Sequence, residues 1–252
     1  MPTAAERLAR RANVVALAAL AALTVLAWLY LWSGAGFGPM TGSMSEMSGA
    51  MPASDWPLTV LMWAAMMVAM MLPSAAPAIL LYGTVSRHSD AARVPPTAAF
   101  LGGYLACWTL FAVLAASLQG GLERASLASP MSMALVSSDA AGAVLIMAGL
   151  YQMTPLKDAC LGKCRSPAQF LSRHFRPGAT GAFRLGLLHG AYCVGCCWLL
   201  MALLFVGGVM NLAWIAVLTL LVAAEKLLPG GTWIARVAGI AMIGWGAYLI
   251  LA

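Results

Sequence analysis

Charged residues are scarce in this chain. Lys and Arg number 14 and Asp and Glu number 8 among 252 residues, whereas 62% of the residues are hydrophobic and the mean hydropathy is +0.88. Soluble domains carry about 25% charged residues. The composition therefore excludes an ordinary soluble domain and predicts an integral membrane protein. We expect the net charge of +6 to record membrane topology rather than an anionic partner.

The sequence also lacks the motifs of several enzyme and transporter classes. It has no glycine-rich phosphate-binding loop and no HExxH zinc motif. It has no CPC motif with a phosphorylation domain, which argues against an ATP-driven pump. No internal repeat is present, so the inverted-repeat architecture of many transporters has no support. Aromatic residues do not interleave with the basic ones, and we expect no nucleic-acid partner.

Seven apolar stretches are long enough to cross a bilayer, which takes about 20 helical residues. With the amino terminus in the cytoplasm, all 14 basic residues except Arg124 fall on the cytoplasmic side, a strong positive-inside bias. The sequence therefore predicts an all-α, polytopic transmembrane bundle with a cytoplasmic amino terminus and an outer carboxyl terminus. The seven spans are residues 14–32, 57–82, 97–118, 134–153, 185–206, 209–228 and 232–251.

The chain divides into two predicted parts. Residues 1–56 hold the first transmembrane helix and a Met-rich extracytoplasmic loop. Residues 57–252 form a six-helix metal-binding membrane domain with a cytoplasmic loop at 154–185.

The methionines of the outer loop are candidate metal ligands. Thioethers suit Cu(I) and survive outside the cytoplasm, where paired thiols tend to oxidise. A Met-rich loop without a ligand is the alternative for the four outer methionines, which are Met40, Met44, Met47 and Met51.

Methionine is also concentrated in the second predicted span. Met62, Met66 and Met70 would lie on one slowly drifting stripe of a helix, with Met67 and Met71 further round. Such a stripe favours a row of soft metal ligands. Adaptable core filler is the alternative, because methionine packs well in irregular interiors.

Four reactive residues lie close together in the fifth predicted span. On a helix, His189, Cys193, Cys196 and Cys197 share an arc of about 100° and extend over about 12 Å of the axis. One ion cannot contact both ends of such a row. We interpret the four residues as a ladder of soft-metal ligands, and ordinary buried core residues are the alternative.

The cytoplasmic loop adds a CxxxC pair, Cys160 and Cys164. A disulfide does not persist in a reducing cytoplasm, so metal binding or catalytic redox use is favoured over a structural bridge. The neighbouring cations of Lys157, Lys163 and Arg165 are expected to lower the pKa of both thiols. Two unconnected surface thiols are the alternative.

Two charged residues lie near the cytoplasmic end of the sixth predicted span. An ionisable residue at membrane depth is a functional candidate, so Glu225 is expected to accept a proton or to supply an oxygen ligand to the metal. A simple ion pair is its alternative. Lys226 is expected to extend to the membrane interface. Cys107 is most simply a packing residue, and His174 a solvated loop residue.

Four segments carry a resemblance as a set: MWAAMMVAMMLPS, TPLKDACLGKCRSP, HGAYCVGCCWLLM and AEKLLPG. Together they resemble a bacterial family of predicted metal-binding integral membrane proteins, a domain of unknown function. The resemblance covers nearly everything from about Trp56 to the carboxyl end. It implies a multi-pass protein of the bacterial inner membrane whose metal ligands are the second-span methionines with His189, Cys193, Cys196, Cys197, Cys160 and Cys164.

These features predict a membrane protein that binds Cu(I), or another soft metal, and they favour a metal-handling protein over an enzyme without deciding between the two. The order of ligands, from outer thioethers to inner thiols, suggests passage by ligand exchange, and hence copper uptake or delivery. The expected partners are the lipid bilayer, the metal ion, and a protein that donates or accepts the metal. Two alternatives stay open. One is a membrane thiol-disulfide oxidoreductase, which would relay electrons between Cys160–Cys164 and Cys193–Cys197, and the other is a metal-stabilised assembly factor without transport.

Overall fold

The structure is a computed structural model that describes residues 4–34, 56–86, 96–129 and 132–252. This part of the chain is all α-helical, and its only β-pairing is an isolated bridge between Ala128 and Leu135. The all-α class is therefore confirmed. In chain order the helices are α1 (Ala4–Trp32), α2 (Trp56–Ser86), α3 (Pro96–Arg124), α4 (Ser138–Gln152), α5 (Pro155–Arg165), α6 (Pro167–His174), α7 (Gly178–Ala202), α8 (Leu204–Gly207), α9 (Leu212–Leu227) and α10 (Gly231–Leu251).

Among the described residues, five helical segments are long and apolar enough to cross a membrane, namely most of α1, all of α2, most of α3, α7 with α8, and α10. The fourth and sixth predicted spans correspond to α4 and α9, which have 15 and 16 residues. At a rise of 1.5 Å per residue such helices extend about 22–24 Å, less than the roughly 30 Å of a bilayer core. The span count of seven thus stays a prediction.

The predicted cytoplasmic loop is itself largely helical. It contains α5 and α6, and α7 begins at Gly178, before the predicted start of the fifth span. Polar side chains cap the amino ends of two short helices. The Thr154 side chain accepts a hydrogen bond from the Lys157 amide at the start of α5, and the Asn211 side chain caps α9. The Met-rich outer loop with its four methionines lies outside the described residues.

The helices α3 and α7 pack with their backbones in direct contact. A Cβ atom at Gly103 would overlap the Phe183 carbonyl, and one at Gly186 would overlap the Phe100 carbonyl. Small residues at such a contact let two helices approach closely, as in many membrane bundles. The contact sets Tyr104 of α3 opposite Cys193 of α7.

The outer faces of the long helices are strongly apolar. Leu26 on α1, Leu114 on α3 and Trp233 on α10 are 61%, 61% and 69% exposed. Soluble monomers rarely expose large contiguous apolar surfaces. The outer surface is therefore suited to contact with lipid, whereas the methionines of α2 and the cysteines of α7 are buried inside.

Candidate metal centre

The helix α7 turns its reactive side chains into the core. His189, Cys193, Cys196 and Cys197 are all at most 2% exposed, so they share one buried face as the helical periodicity predicts. The Cys196 and Cys197 thiols donate hydrogen bonds to the Cys193 carbonyl at 3.1 and 2.9 Å. These bonds to the preceding turn fix the direction in which the two sulfur atoms point.

Helices α2 and α3 supply the next contacts of the α7 thiols. The Cys197 Sγ atom lies 3.8 Å from the Sδ atom of Met71, and the Tyr104 hydroxyl lies 3.2 Å from the Cys193 Sγ atom. The same hydroxyl donates to the Met71 carbonyl at 3.2 Å. Tyr104 therefore links the Met71 carbonyl to the Cys193 thiol through hydrogen bonds, and the Met71 thioether lies next to the Cys197 thiol.

Helix α5 brings the CxxxC pair to the same place. The Cys164 thiol interacts with the thiols of Cys193 and Cys196. Its neighbour Cys160 packs on Gly195, where an added Cβ atom would lie 3.0 Å from the Cys160 Sγ atom. The two cysteine groups that look separate in the sequence thus form one cluster. We call Cys164, Cys193, Cys196 and Cys197, with Met71, the sulfur cluster.

The expected effect of the basic residues on the loop thiols is wrong in direction. Burial raises the pKa of the Cys160 thiol, with the nearby Cys196 as the second cause. Hydrogen bonding to Cys193 and Cys196, together with burial, raises the pKa of Cys164 well above its ordinary value. Lys157 is paired with Glu225 instead, and Arg165 donates to the Glu225 and Leu228 carbonyls.

Lys226 occupies a different position from the one expected. Its side chain does not extend to the membrane interface but turns inward and is 6% exposed. The Nζ atom lies 2.9 Å from the Cys193 Sγ atom, 3.4 Å from the Ser74 Oγ atom and 3.8 Å from the Met71 Sδ atom. An ammonium group at this distance offers the sulfur a charge-assisted hydrogen bond. A fixed positive charge therefore borders the sulfur cluster.

Glu225 lies in a buried polar network that joins three helices. Its Oε2 atom is 2.6 Å from the Lys157 Nζ atom of α5, and its Oε1 atom accepts a hydrogen bond of 2.7 Å from the Gln152 amide of α4. Lys157 also donates to the Gln152 side-chain oxygen. Both carboxylate oxygens are engaged, which favours the ion-pair alternative over an oxygen ligand. The network anchors α5, and with it Cys164, to α9.

His189 lies beside the cluster in an aromatic setting. Its ring centroid is 6.0 Å from that of Phe100, 5.9 Å from Tyr104 and 5.3 Å from Phe170. Within the described chain its Nδ1 atom is buried without a hydrogen-bond partner. A buried imidazole nitrogen without a hydrogen-bond partner is energetically costly. The Nδ1 atom of His189 is therefore available to bind a ligand.

The three methionines of the predicted stripe are buried, and two of them line a cavity. Met62, Met66 and Met70 are at most 1% exposed. Met62 and Met66 line a cavity of about 140 Å³ together with Met210, near the end of α1 at Trp32. The thioether that contacts the α7 thiols is instead that of Met71. The sequence interpretation placed Met71 off the stripe and did not single it out as a ligand, and it gave no site role to Met210, Tyr104 or Lys226.

The donors of the cluster are chemically suited to a soft ion. Across the described ranges, no group of three or more His, Cys, Asp and Glu side chains is already arranged around a metal position. The cluster nevertheless offers several thiol sulfurs and one thioether, the ligand types that select Cu(I) over hard cations. Copper would therefore draw together sulfur atoms that are already neighbours.

We predict that Lys157→Met destabilises the fold by about 3–5 kcal/mol, because it leaves the Glu225 carboxylate buried without its cation. The double variant Lys157→Met/Glu225→Gln should recover most of the loss, since a neutral amide needs no counter-charge. Unfolding of the purified protein in detergent measures both. Equal stability of the single variant and the unmodified protein would contradict the assigned network. Retained copper binding by the double variant would separate this structural role from a ligand role, because that variant lacks the carboxylate without leaving a buried charge unpaired.

The comparisons with known proteins bear on this site. Neither the curated proteins nor the solved structures contain a significant match to the chain. The sequence profile of a family named PpoB2, described as a copper chaperone, matches residues 60–249, which include every member of the sulfur cluster. The expectation of a copper-related family is thereby confirmed. Because the match covers about three quarters of the 252 residues, the chain belongs to the copper chaperone family PpoB2.

Proposed function

We propose that the protein carries copper as Cu(I), held at the sulfur cluster and exchanged with a donor or acceptor protein. The observation that carries the proposal is the meeting of Cys164 from α5 with Cys193, Cys196 and Cys197 from α7, next to the Met71 thioether. Membership of a copper chaperone family supports copper as the metal. The donor set supports the reduced ion, because Cu(II) prefers nitrogen and oxygen ligands in a tetragonal arrangement.

Lys226 supports this proposal by balancing charge. A Cu(I) ion held by two deprotonated thiols carries one net negative charge. Leaving such a charge unpaired in a buried site is costly. The Lys226 ammonium, 2.9 Å from the Cys193 Sγ atom, supplies the compensating positive charge. We infer that it stabilises the copper-loaded cluster without binding the metal.

The methionines of α2 suggest how copper reaches the cluster. Met62 and Met66 line the small cavity with Met210, and Met71 contacts the thiols about 8 Å beyond Met66 along the helix axis. We propose that thioethers at Met62, Met66 and Met70 hand the ion towards Met71 by exchange between similar soft ligands. From Met71 the copper ion would pass to the α7 thiols and then to Cys164 and Cys160 on α5.

We further propose a bacterial inner-membrane location with seven spans and a cytoplasmic amino terminus. The five long apolar helices and the apolar outer surface support membrane insertion. The distribution of basic residues supports the orientation. In this arrangement α5 belongs to the cytoplasmic-side connection, with its cysteines packed inward against α7. The division of the chain at residue 56 separates the first span and outer loop from the metal-binding part.

The central experiment is a Cu(I) titration against a competing chelator, with purified full-length protein under reducing conditions. Cys193→Ser and Cys164→Ser should each weaken binding by more than about 100-fold, because they remove sulfur ligands rather than outer contacts. Cys107→Ser is the matched control, since this thiol of α3 lies outside the sulfur cluster, and it should bind like the unmodified protein. Full binding by the variant that lacks Cys193, Cys196 and Cys197 would refute the site.

The same titration tests the charge of Lys226. Lys226→Met should weaken Cu(I) binding, because it removes the compensating charge, whereas Lys226→Arg should retain part of it. Equal Cu(I) affinities of Lys226→Met and the unmodified protein would show that the sulfur cluster needs no compensating cation.

For the methionine route we predict slower copper entry without loss of the binding site. Leu replaces Met in packed interiors at a cost usually below about 1.5 kcal/mol, so Met62→Leu/Met66→Leu/Met70→Leu should fold and insert normally. Proteoliposome uptake of Cu(I) should slow, while equilibrium binding in detergent stays unchanged. Met67→Leu, also buried on α2, is the control. Uptake by the triple variant at the unmodified rate would remove these thioethers from the route.

For the topology we predict that reporter fusions at Ala252 and within residues 154–185 report opposite compartments. The first should lie outside the cytoplasm and the second inside it, because an odd number of spans separates them. If both fusions report the cytoplasm, one of the seven spans does not cross the membrane, and the short α9 is the first to reconsider.

A further inference from the structure

A second cavity lies away from the sulfur cluster, at the corner between α6 and α7. Its volume is about 520 Å³. Three arginines line it, Arg173 at the end of α6, Arg176 in the connection and Arg184 two turns into α7. The rest of its lining includes Leu187, Leu188 and Ala191, the next residues along α7. The cavity is therefore basic where α7 begins and apolar further along the helix.

The three arginines have no acidic partner within the described ranges. Among the described residues the ion pairs are Lys157–Glu225 and Arg236–Asp158, and neither involves this corner. Three guanidinium groups around one cavity repel each other unless an anion lies between them. The corner therefore has a positive potential that its own side chains do not neutralise.

The backbone holds this corner in one shape. A Cβ atom at Gly181 would lie 2.6 Å from the Arg176 carbonyl oxygen, so the connection packs directly on the first turn of α7. On α6, the His174 ring stacks on Phe170 at a centroid distance of 5.1 Å, and its Nδ1 atom pairs with the Phe170 carbonyl at 3.0 Å. The cavity is thus bounded by elements that pack directly on one another.

We propose that this cavity binds an anionic phospholipid, with the phosphate among Arg173, Arg176 and Arg184 and an acyl chain along Leu187, Leu188 and Ala191. Guanidinium groups recognise phosphate through paired N–H donors. Ala191 lies about 10 Å beyond Arg184 along the axis of α7, within a segment that is long and apolar enough to cross a membrane. A basic region followed by an apolar wall in the direction of the bilayer matches a lipid rather than a free anion. The proposal rests on the membrane insertion proposed above and is independent of copper.

The test measures thermal unfolding of the purified full-length protein in neutral detergent with three additives. Dioleoylphosphatidylglycerol should raise the Tm, whereas dioleoylphosphatidylcholine and inorganic phosphate should not. The variant Arg173→Gln/Arg176→Gln/Arg184→Gln should need at least about tenfold more phosphatidylglycerol for the same shift, since each basic residue contributes to the attraction. The control Lys163→Gln/Arg124→Gln/Arg236→Gln removes the same charge elsewhere and should behave like the unmodified protein.

A second variant keeps the test decisive if the triple-glutamine protein folds poorly. Ala191→Trp leaves every charge in place but fills the apolar wall, and it should also lose the phosphatidylglycerol shift. An equal shift with inorganic phosphate would overturn the lipid assignment, and an unchanged shift in either cavity variant would overturn the site. Flotation with phosphatidylcholine vesicles tests insertion separately, because insertion needs no anionic lipid.

Discussion

The buried contact between Lys157 and Glu225 determines where the short helix α5 lies, and the candidate metal centre depends on that position. The two charged atoms are 2.6 Å apart and almost fully buried, and Gln152 satisfies the remaining carboxylate oxygen. Such a pair is costly to desolvate and strongly destabilising to break, so it holds its partners in one arrangement. Because Cys164 is two turns along α5 from Lys157, the same contact places its thiol against Cys193 and Cys196.

The sulfur cluster is an incomplete metal site that lies between closely packed helices. Tyr104 fastens Met71 to Cys193, and the close packing of α3 on α7 at Gly103 and Gly186 keeps that hydrogen bond in place. The sulfur atoms themselves are not arranged as a complete metal cage. For a protein that must release its ion, pairs of neighbouring soft donors are more suitable than a closed structural site, which would hold the ion tightly. Membership of a copper chaperone family favours this metal-handling role over the thiol-disulfide oxidoreductase.

Periodicity and composition predict the local features of this chain well. The helical class follows from the long apolar runs, and the shared buried face of Cys193, Cys196 and Cys197 follows from 3.6 residues per turn. Contacts between distant segments do not follow from local patterns. Lys157 pairs with a residue 68 positions away and Cys160 packs on Gly195 of α7, and no spacing within the CxxxC loop indicates either contact.

The errors have related physical causes. A lysine near a helix end ordinarily extends to water, but Lys226 finds acceptors inside the bundle at Cys193 and Ser74 and turns inward instead. The rotation of α2 about its axis is set by packing against neighbouring helices. Sequence alone therefore gives the methionine stripe, but not that Met71, which lies off that stripe, contacts the thiols.

The joint holding of Cu(I) by α5 and α7 is tested most directly by X-ray absorption spectroscopy of the copper-loaded, full-length protein. We predict a copper coordination shell composed of sulfur, with fewer sulfur neighbours in Cys164→Ser and an unchanged shell in Cys107→Ser. A shell dominated by nitrogen or oxygen, or one that Cys164→Ser leaves unaltered, would contradict copper binding at the sulfur cluster.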